Sequence, residues 1–357
     1  MKRLLLFSTF LLLAVFTSNA QSLIAVNHSG GGSSFFTRLD SALANAGNGD
    51  YITLPGTTLM NIGNVVSDKS VHIIGAGIHP DSTMATGITY LTGNITVVSG
   101  ADNGSLQGFY LNGTLKFGTS KTNQMVSNYF VSRCNLATVN LSHNGTDTTA
   151  SSFLFRENII RGHINGGYSQ AIFRNNIIEA QVNYFYGATF ENNEFLWGNT
   201  KTINMNVRNS TFANNNFKIG CFVNYGWSTA FSYNNNYYNN MFVQPMQFHT
   251  DYYGCTSNIY NGNGFISGNL QNISPSSVYT SQSGNYYNIH HDFHLVGSSP
   301  GKNAGTDGTD IGIYGGSEPF KDGSLPVNPH IQHKSVSGST NPDGTLNIHF
   351  KVSSQSR

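Results

Sequence analysis

The sequence predicts an all-β chain built as a solenoid, in which short strands stack coil upon coil. The first observation is a repeat motif of an apolar residue, polar spacers and a final asparagine, whose final asparagines are 23, 18, 17, 22 and 21 residues apart. A period near 20 that varies by a few residues is typical of solenoid coils with loops of variable length. The second observation is the abundance of glycine, with 39 residues, and of asparagine. Both residue types suit a chain that bends sharply every few residues.

The final asparagines of the motif are predicted to form a structural ladder. Stacked amide side chains at a bend can bond to one another along a solenoid while they hold the backbone of the bend. We expect the phenylalanines of the same motif, at 155, 173, 190 and 212, to fill the core as an inward stack. The predicted ladder consists of Asn135, Asn158, Asn176, Asn193, Asn215 and Asn236.

The N-terminal end of the chain is typical of an exported protein. Lys2 and Arg3 precede an apolar run over residues 4–16, and small residues lead to Ala20. This pattern predicts a signal peptide over residues 1–20 with cleavage after Ala20. No later segment is apolar for the length of a membrane helix, so we expect a secreted protein without a membrane span, located outside the cell, in the periplasm or at the cell surface.

Composition excludes some partners and disfavours a disulfide framework. Charged residues make up 10% of the chain and the formal net charge is +1, so we expect no nucleic-acid partner. The three cysteines, Cys134, Cys221 and Cys255, are widely spaced and odd in number. They are interpreted as buried free thiols, and one disulfide between two of them is the alternative.

Two segments near the N-terminus predict how the solenoid begins. Apolar residues three and four apart over residues 35–46 indicate one amphipathic helix that ends at Gly47. Short β-branched runs follow at residues 50–56 and 71–77, bounded by proline and glycine. The helix is expected to cover the open edge of the first coil.

A helix followed by GDYITLPGTTL and KSVHIIGAG resembles the N-terminal cap and first coils of the pectin-lyase-like superfamily. That resemblance implies a single-stranded right-handed parallel β-helix over residues 21–319. The run over residues 292–316 is similar to the closing coil of secreted β-helix proteins of bacterial type. Residues 320–357 are predicted to form a C-terminal strand or hairpin extension.

The resemblance raises the question of catalysis, which the residues leave open. Hydrolases of the superfamily use paired aspartates, and this sequence has no such pair between residues 88 and 270. Lyases of the fold use a basic residue, often with calcium, so a lyase is favoured over a hydrolase if the protein is an enzyme. Otherwise we expect no cofactor. The candidate catalytic residues are Arg133, Arg156 and Arg174, expected in one column, with Glu179 and His163 nearby.

Other residues are of types that bind metal ions or contact sugars. The motif His290-His-Asp-Phe-His294 is interpreted as structural, and no metal site is expected, with Asp307 and Asp310 in a glycine-rich turn as the remaining candidates for calcium. Aromatic residues beside glycine or polar neighbours are candidates for stacking on sugar rings. These carbohydrate-binding candidates are Trp197, Trp227, Tyr237, Tyr252 and Tyr253.

Two functions remain open on the sequence. The first is a secreted, monomeric β-helix protein that binds an extracellular polysaccharide along its elongated face, with or without lyase activity. The second is a non-catalytic surface, adhesion or structural protein whose repeats supply shape and rigidity. Fold alone does not decide between them.

Overall fold

The computed structural model describes residues 23–148, 151–179, 181–196, 204–218, 234–243, 247–249, 258–260, 263–327 and 329–354. The fold is all-β, with 40% strand and 5% helix, and its long parallel sheets form a parallel β-helix solenoid. Trp197, Trp227, Tyr252, Tyr253, Cys221 and Cys255 lie outside the described residues. Within the described ranges, every helix is too short or too polar to cross a membrane.

The strands are short, as the repeat predicts. In chain order they are β1 Ile24–Asn27, β2 Ser33–Phe36, β3 Tyr51–Thr53, β4 Thr57–Ser67, β5 His72–Ile74, β6 Thr89–Val97, β7 Ser105–Gln107, β8 Tyr110–Phe117, β9 Tyr129–Ser132, β10 Asn135–Asn140, β11 Ser152–Arg156, β12 Ile159–Ile160, β13 Ile164–Asn165, β14 Gln170–Arg174, β15 Ile177–Ile178, β16 Val182–Tyr186, β17 Thr189–Glu191, β18 Glu194–Phe195, β19 Asn204–Arg208, β20 Thr211–Ala213, β21 Asn216–Phe217, β22 Asn236–Tyr238, β23 Met241–Phe242, β24 Gln247–His249, β25 Asn258–Tyr260, β26 Ile266–Ser267, β27 Tyr279–Ser281, β28 Asp292–Leu295, β29 His330–Val336 and β30 Ile348–Ser353. The α-helix is α1 Leu39–Asn45, and two 3₁₀ turns span Asp81–Thr83 and Pro275–Ser277.

One sheet stacks a strand from every coil in parallel register, in the order β3-β5-β7-β9-β11-β14-β17-β20-β22-β26. The other long sheet starts from the extended strands β4, β6, β8 and β10. Strand β10 pairs with both β12 and β13, so from this coil onward the extended strand is divided into two shorter ones. Each later coil therefore bends once more than the first coils do.

The N-terminal cap differs from the prediction in one detail. Residues 35 and 36 belong to the antiparallel strand β2, and the helix occupies only Leu39–Asn45. Its buried residues Leu39, Ala42 and Leu43 join the solenoid core. Residues Ser33–Phe36 alternate in exposure as a strand does, and they pair with β1 in a hairpin instead of continuing the helix toward the N-terminus.

Aromatic rings fill the core in a continuous stack. Phe155, Phe173, Phe190 and Phe212 are fully buried, and their successive ring centroids are 4.8, 5.1 and 4.8 Å apart with nearly parallel planes. The predicted inward stack is therefore confirmed. Tyr237 continues it at 5.0 Å from Phe212.

An asparagine ladder runs beside this stack at the bend that follows the first sheet. Each side-chain Nδ2 donates to a backbone carbonyl of the preceding coil, and each except that of the last member, Asn269, also donates to the Oδ1 of the next coil's asparagine, at distances of 2.8–3.0 Å. Each Oδ1 also accepts a backbone N–H from the preceding coil. The ladder consists of Asn158, Asn176, Asn193, Asn215, Asn240 and Asn269.

Two predicted ladder members are wrong. Asn135 is in register with Ile159 and faces outward, and Cys134 occupies the ladder position, where its N–H donates to Asn158 Oδ1. Asn236 is in register with Thr211, four residues before the true member Asn240. Insertions in the loops shifted the alignment of the motif, whereas the hydrogen bonds follow strand register.

The residue before each ladder position adopts a left-handed backbone. This left-handed column consists of Gly108, Arg133, Glu157, Asn175, Asn192, Asn214, Asn239 and Gly268, with φ between 47° and 71°. Each N–H of the column from Gly108 to Asn239 donates to a carbonyl of the next coil. Asparagine and glycine accept this conformation at least cost, which explains the Asn-Asn pairs of the repeat.

The C-terminal part of the described chain folds back over the solenoid. Residues 301–326, here called the strap, contain no strand and contact the left-handed column from Asn239 to Arg133. The antiparallel strands β27 and β28 cover the outward face of β12, β15, β18, β21 and β23, where they share a second apolar cluster. The run over residues 292–316 was predicted to be a closing coil, but it consists of β28 and part of the strap, and both cover the solenoid from outside. Strands β29 and β30 form a separate hairpin within the predicted extension.

Candidate functional site

The three candidate arginines do not share one column. Arg156 is in register with Arg174, Ser132 and Glu191, whereas Arg133 lies in the left-handed column beside Glu157. Arg133 is fully buried, its Nε donates to Glu157 Oε2 at 2.8 Å, and its Nη1 donates to the Leu325 carbonyl of the strap at 2.7 Å. The predicted single column is wrong because the motif containing Arg133 is aligned one residue out of register.

The other two arginines are paired as well. Arg156 Nη1 lies 2.5 Å from Glu318 Oε1 of the strap, and this hydrogen bond holds the pKa of Glu318 below its usual value. Arg174 pairs with Glu191 at 2.9 Å on a more exposed surface. The strap thus covers the N-terminal part of the arginine-bearing face, which was the predicted site for an acidic sugar.

Glu179 and His163 lie away from these arginines. Glu179 is half-buried, accepts a hydrogen bond from the backbone N–H of Tyr287, and interacts electrostatically with Arg161. Burial raises the pKa of its carboxyl. The side chain of His163 is exposed, and its carbonyl accepts from Val139 N–H. These two residues do not complete a site with Arg133, Arg156 or Arg174.

Tyr237 is not a surface contact for sugar. Its ring is fully buried in the core stack because it takes the register position of Phe212 in the next coil. The remaining aromatic candidates, Trp197, Trp227, Tyr252 and Tyr253, are not among the described residues.

The calcium candidates are engaged within their own turn. Asp307 Oδ1 accepts hydrogen bonds from the N–H and hydroxyl of Thr309, and Asp310 Oδ2 lies 2.8 Å from Lys302 Nζ. In the part of the chain that the structure describes, no group of three or more His, Cys, Asp or Glu side chains is placed to hold a metal ion.

A pocket of about 240 Å³ opens where the strap and β28 meet the coil of β15. Ile177, Phe293 and Phe320 line its apolar part. Its polar and aromatic lining comes from the loop before the first 3₁₀ turn, from β28 and its approach, and from the strap: His79, Tyr287, His291, Asp292, His294, Tyr314 and Asp322. The volume lies just below the usual range for small-molecule sites, which suits a ligand of one ring.

Hydrogen bonds fix one wall of this pocket. Tyr314 donates its hydroxyl to Asp322 Oδ1 at 2.6 Å, and its ring stacks on the imidazole of His294 with centroids 3.7 Å apart. His294 Nδ1 lies 2.7 Å from Asp292 Oδ1. The wall therefore presents a pair of stacked rings held by two carboxylates.

Two imidazoles of the pocket retain free polar atoms. His79 Nδ1 and His291 Nδ1 are buried and meet no hydrogen-bond partner among the described residues. Burial lowers the pKa of His291. An imidazole nitrogen that lacks a partner can donate to or accept from a polar ligand, depending on its tautomer.

A band of side chains connects the pocket with a tyrosine-arginine stack. Tyr287 lines the pocket and donates its N–H to Glu179, which interacts with Arg161. The Arg161 guanidinium lies 4.4 Å above the ring of Tyr110, and the ring of Tyr90 lies 4.2 Å below it in a parallel stack. All three members of the tyrosine-arginine stack are partly exposed.

Sequence reasoning missed most of this site. His291, Asp292 and His294 stood out as a motif, but His79, Tyr314, Asp322, Tyr90 and Arg161 carry no local signal that relates them. The side-by-side placement of Tyr90 and Tyr110 follows from the register of β6 with β8, which was not predicted.

The fold and pocket define the class of the protein as a parallel β-helix solenoid with a C-terminal strap and a histidine- and tyrosine-lined pocket. Scans of protein-family models, of curated proteins and of solved structures found no match to this chain.

Proposed function

We propose that this protein is a secreted right-handed β-helix of the pectin-lyase-like kind that binds an extracellular polysaccharide. One sugar ring would occupy the pocket, and the chain would continue across Tyr287 toward the tyrosine-arginine stack. The observation that carries the proposal is the pocket itself, in which stacked rings adjoin carboxylates and free imidazole nitrogens. Aromatic faces with a few placed polar groups are what sugar recognition requires.

The band beyond the pocket supports a chain rather than a single sugar. Tyr90, Tyr110 and Arg161 offer a second stacking surface on an outward face of the solenoid. Because the coils stack at about 4.8 Å, flat side chains in successive coils can contact successive parts of one extended ligand. The proposed monomeric state agrees with a ligand that lies along one side of the rod.

A panel of pectins, alginates, glycosaminoglycans and neutral glycans tests the proposal by calorimetry. We expect at least one polymer to bind, and Tyr314→Ala to weaken that binding at least about tenfold through loss of the ring and of its bond to Asp322. Tyr186→Ala is the matched control, because Tyr186 is 50% exposed and lies outside the pocket. Binding that responds equally to both substitutions, or no binding by any polymer, would contradict the proposal.

A lyase reaction in the same pocket is the second candidate function. It is favoured by His79, an imidazole that lines the pocket and whose Nδ1 has no hydrogen-bond partner among the described residues. If this function is right, uronate polymers should yield unsaturated products and His79→Ala should abolish them while binding persists. Binding without product release would leave the non-catalytic function.

A further inference from the structure

A second group of chemically active side chains lies at the N-terminal cap, outside the pocket. The turn between β1 and β2 carries His28 and three glycines at residues 30–32, and Ser34 follows it as the second residue of β2. Asp50 approaches this turn from the residue before β3. The site therefore joins residues from two segments that pair in one sheet.

The three side chains form a hydrogen-bonded chain. Asp50 Oδ2 lies 2.7 Å from His28 Nδ1, and His28 Nε2 lies 3.0 Å from Ser34 Oγ. These distances are within hydrogen-bond reach for a nucleophile, its base and the group that orients the base. The same order of contacts defines serine hydrolase triads on unrelated folds, which are recognised by geometry and not by sequence position.

The hydrogen bonds around Asp50 determine which nitrogen of His28 carries the proton. Asp50 is only 3% exposed and accepts the backbone N–H groups of Ser29 and Gly47, both at 2.8 Å. These backbone bonds hold the pKa of Asp50 far below its usual value, so the carboxylate is charged and can only accept. His28 Nδ1 must then carry the proton, which leaves Nε2 as the acceptor for the Ser34 hydroxyl.

The turn is open to an approaching substrate. A Cβ placed on Gly30, Gly31 or Gly32 would meet no atom within 4 Å, and the φ angles of Gly31 and Gly32 are 97° and 85°. Gly31 N–H donates to the His28 carbonyl, His28 N–H to the Gly32 carbonyl and Ser29 N–H to Asp50. The N–H groups of Gly30 and Gly32 are therefore the turn donors left for an oxyanion. Ser34 itself is half-exposed beside this turn, so few contacts would hold the acyl group, which suits a short one.

We propose that Ser34, His28 and Asp50 hydrolyse short-chain carboxylic esters. Ser34 Oγ attacks the ester carbonyl carbon while its proton passes to His28 Nε2. The bond to the alcohol oxygen breaks, and the alcohol leaves with that proton. Water then attacks the acyl-serine, gives a proton to Nε2, and releases the carboxylic acid as Ser34 regains its hydrogen. Ser34 and His28 are the catalytic residues, and Asp50 is a positioning residue.

A fluorophosphonate probe and p-nitrophenyl acetate test this activity on the full chain. We expect the probe to label Ser34, identified by peptide mass spectrometry, and Ser34→Ala to reduce ester hydrolysis at least about 100-fold. Ser33→Ala is the matched control, because the neighbouring Ser33 hydroxyl donates only to Asn27 at an exposed position. Labelling of Ser33 and Ser34 alike, or unchanged hydrolysis in Ser34→Ala, would show that the group merely fastens the turn.

Asp50→Asn separates positioning from folding. An asparagine lacks the negative charge that stabilises the His28 imidazolium formed when Nε2 takes the Ser34 proton. We expect kcat to fall at least about 100-fold with KM unchanged in protein that remains folded by circular dichroism. An unchanged kcat would overturn the assigned role. Ester hydrolysis is tested by Ser34→Ala and glycan binding by Tyr314→Ala in separate assays, so this inference and the proposed glycan binding can fail separately.

Discussion

The ladder makes a sharp prediction for Asn193, which lies at its centre. In the variant Asn193→Ala, four buried side-chain hydrogen bonds are lost: two accepted by Oδ1 from Asn176, and two donated by Nδ2 to the Phe173 carbonyl and to Asn215. The backbone N–H of residue 193 keeps its bond to Asn215 Oδ1. The Asn176 N–H is left in the core without its acceptor.

The magnitude follows from this count. A net hydrogen bond contributes about 1 kcal/mol, and an orphaned buried donor costs about 1–3 kcal/mol. Three of the lost bonds then cost about 1 kcal/mol each, and the orphaned Asn176 N–H adds about 1 kcal/mol at the lower end of its range, so we expect Asn193→Ala to lower the free energy of unfolding by about 4 kcal/mol. At roughly 2 °C per kcal/mol for a chain of this size, the thermal midpoint should fall by about 8 °C.

Urea denaturation followed by circular dichroism measures this loss. The control is Asn236→Ala, at a position that the sequence motif presents as equivalent. Asn236 Oδ1 accepts one backbone N–H, from Phe265, at an exposed site, so its replacement should cost below about 1 kcal/mol. Equal losses for the two variants, or a loss below about 1 kcal/mol for Asn193→Ala, would refute the reasoning from the ladder.

Two further predictions concern the segments that cover the solenoid. Burial raises the pKa of Glu194, which accepts a hydrogen bond from the Tyr279 hydroxyl, to about 8 from an unfolded value near 4.5. Because the folded state prefers the protonated carboxyl, its contribution to stability is complete below pH 4.5 and is lost as the pH rises to about 8. The loss is on the order of 5 kcal/mol, and Glu194→Gln should flatten this part of the pH profile of the thermal midpoint; an unchanged slope would contradict the assignment. Asn175→Gly keeps a left-handed backbone but removes two bonds to strap carbonyls, so trypsin should cleave at Lys321 several-fold faster. Asn209→Gly, at an exposed left-handed position, is its control, and equal cleavage in both variants would exclude the strap contact.

Much of the solenoid can be predicted from the sequence because every coil has the same requirements at its bend. Each bend needs a residue that accepts a left-handed backbone and then an amide that satisfies buried backbone groups. The Asn-Asn pairs at 192–193 and 214–215 meet both needs in order. The same signal is present at Asn239-Asn240 and in Gly268-Asn269, and it locates the ladder better than the final asparagine alone does.

The strap was not predictable by the same reasoning. Its contacts join residues 65 to 192 positions apart, and it has no strand or helix period that would indicate a docking face. The pocket depends on those contacts, because Tyr314 and Asp322 reach it from the strap. A repeat predicts which residues share a column, but it does not predict whether solvent, ligand or the chain itself covers that column.

The most specific contacts between the solenoid and the strap are made at three positions of the left-handed column, Gly108, Arg133 and Glu157. Arg133 and Glu157 are bulky residues in a conformation that costs them about 1 kcal/mol or more, at positions where asparagine would fit. Their ion pair at 2.8 Å is buried, and buried ion pairs add little net stability because both charges lose water. What the pair supplies is a fixed donor, Arg133 Nη1, aimed at the Leu325 carbonyl. In the coil that precedes Arg133, a Cβ at position 108 would collide with the ring of Pro326, which restricts this position to glycine. Together these contacts set the register of the strap against the coils, and hence the position of Tyr314 and Asp322 in the pocket.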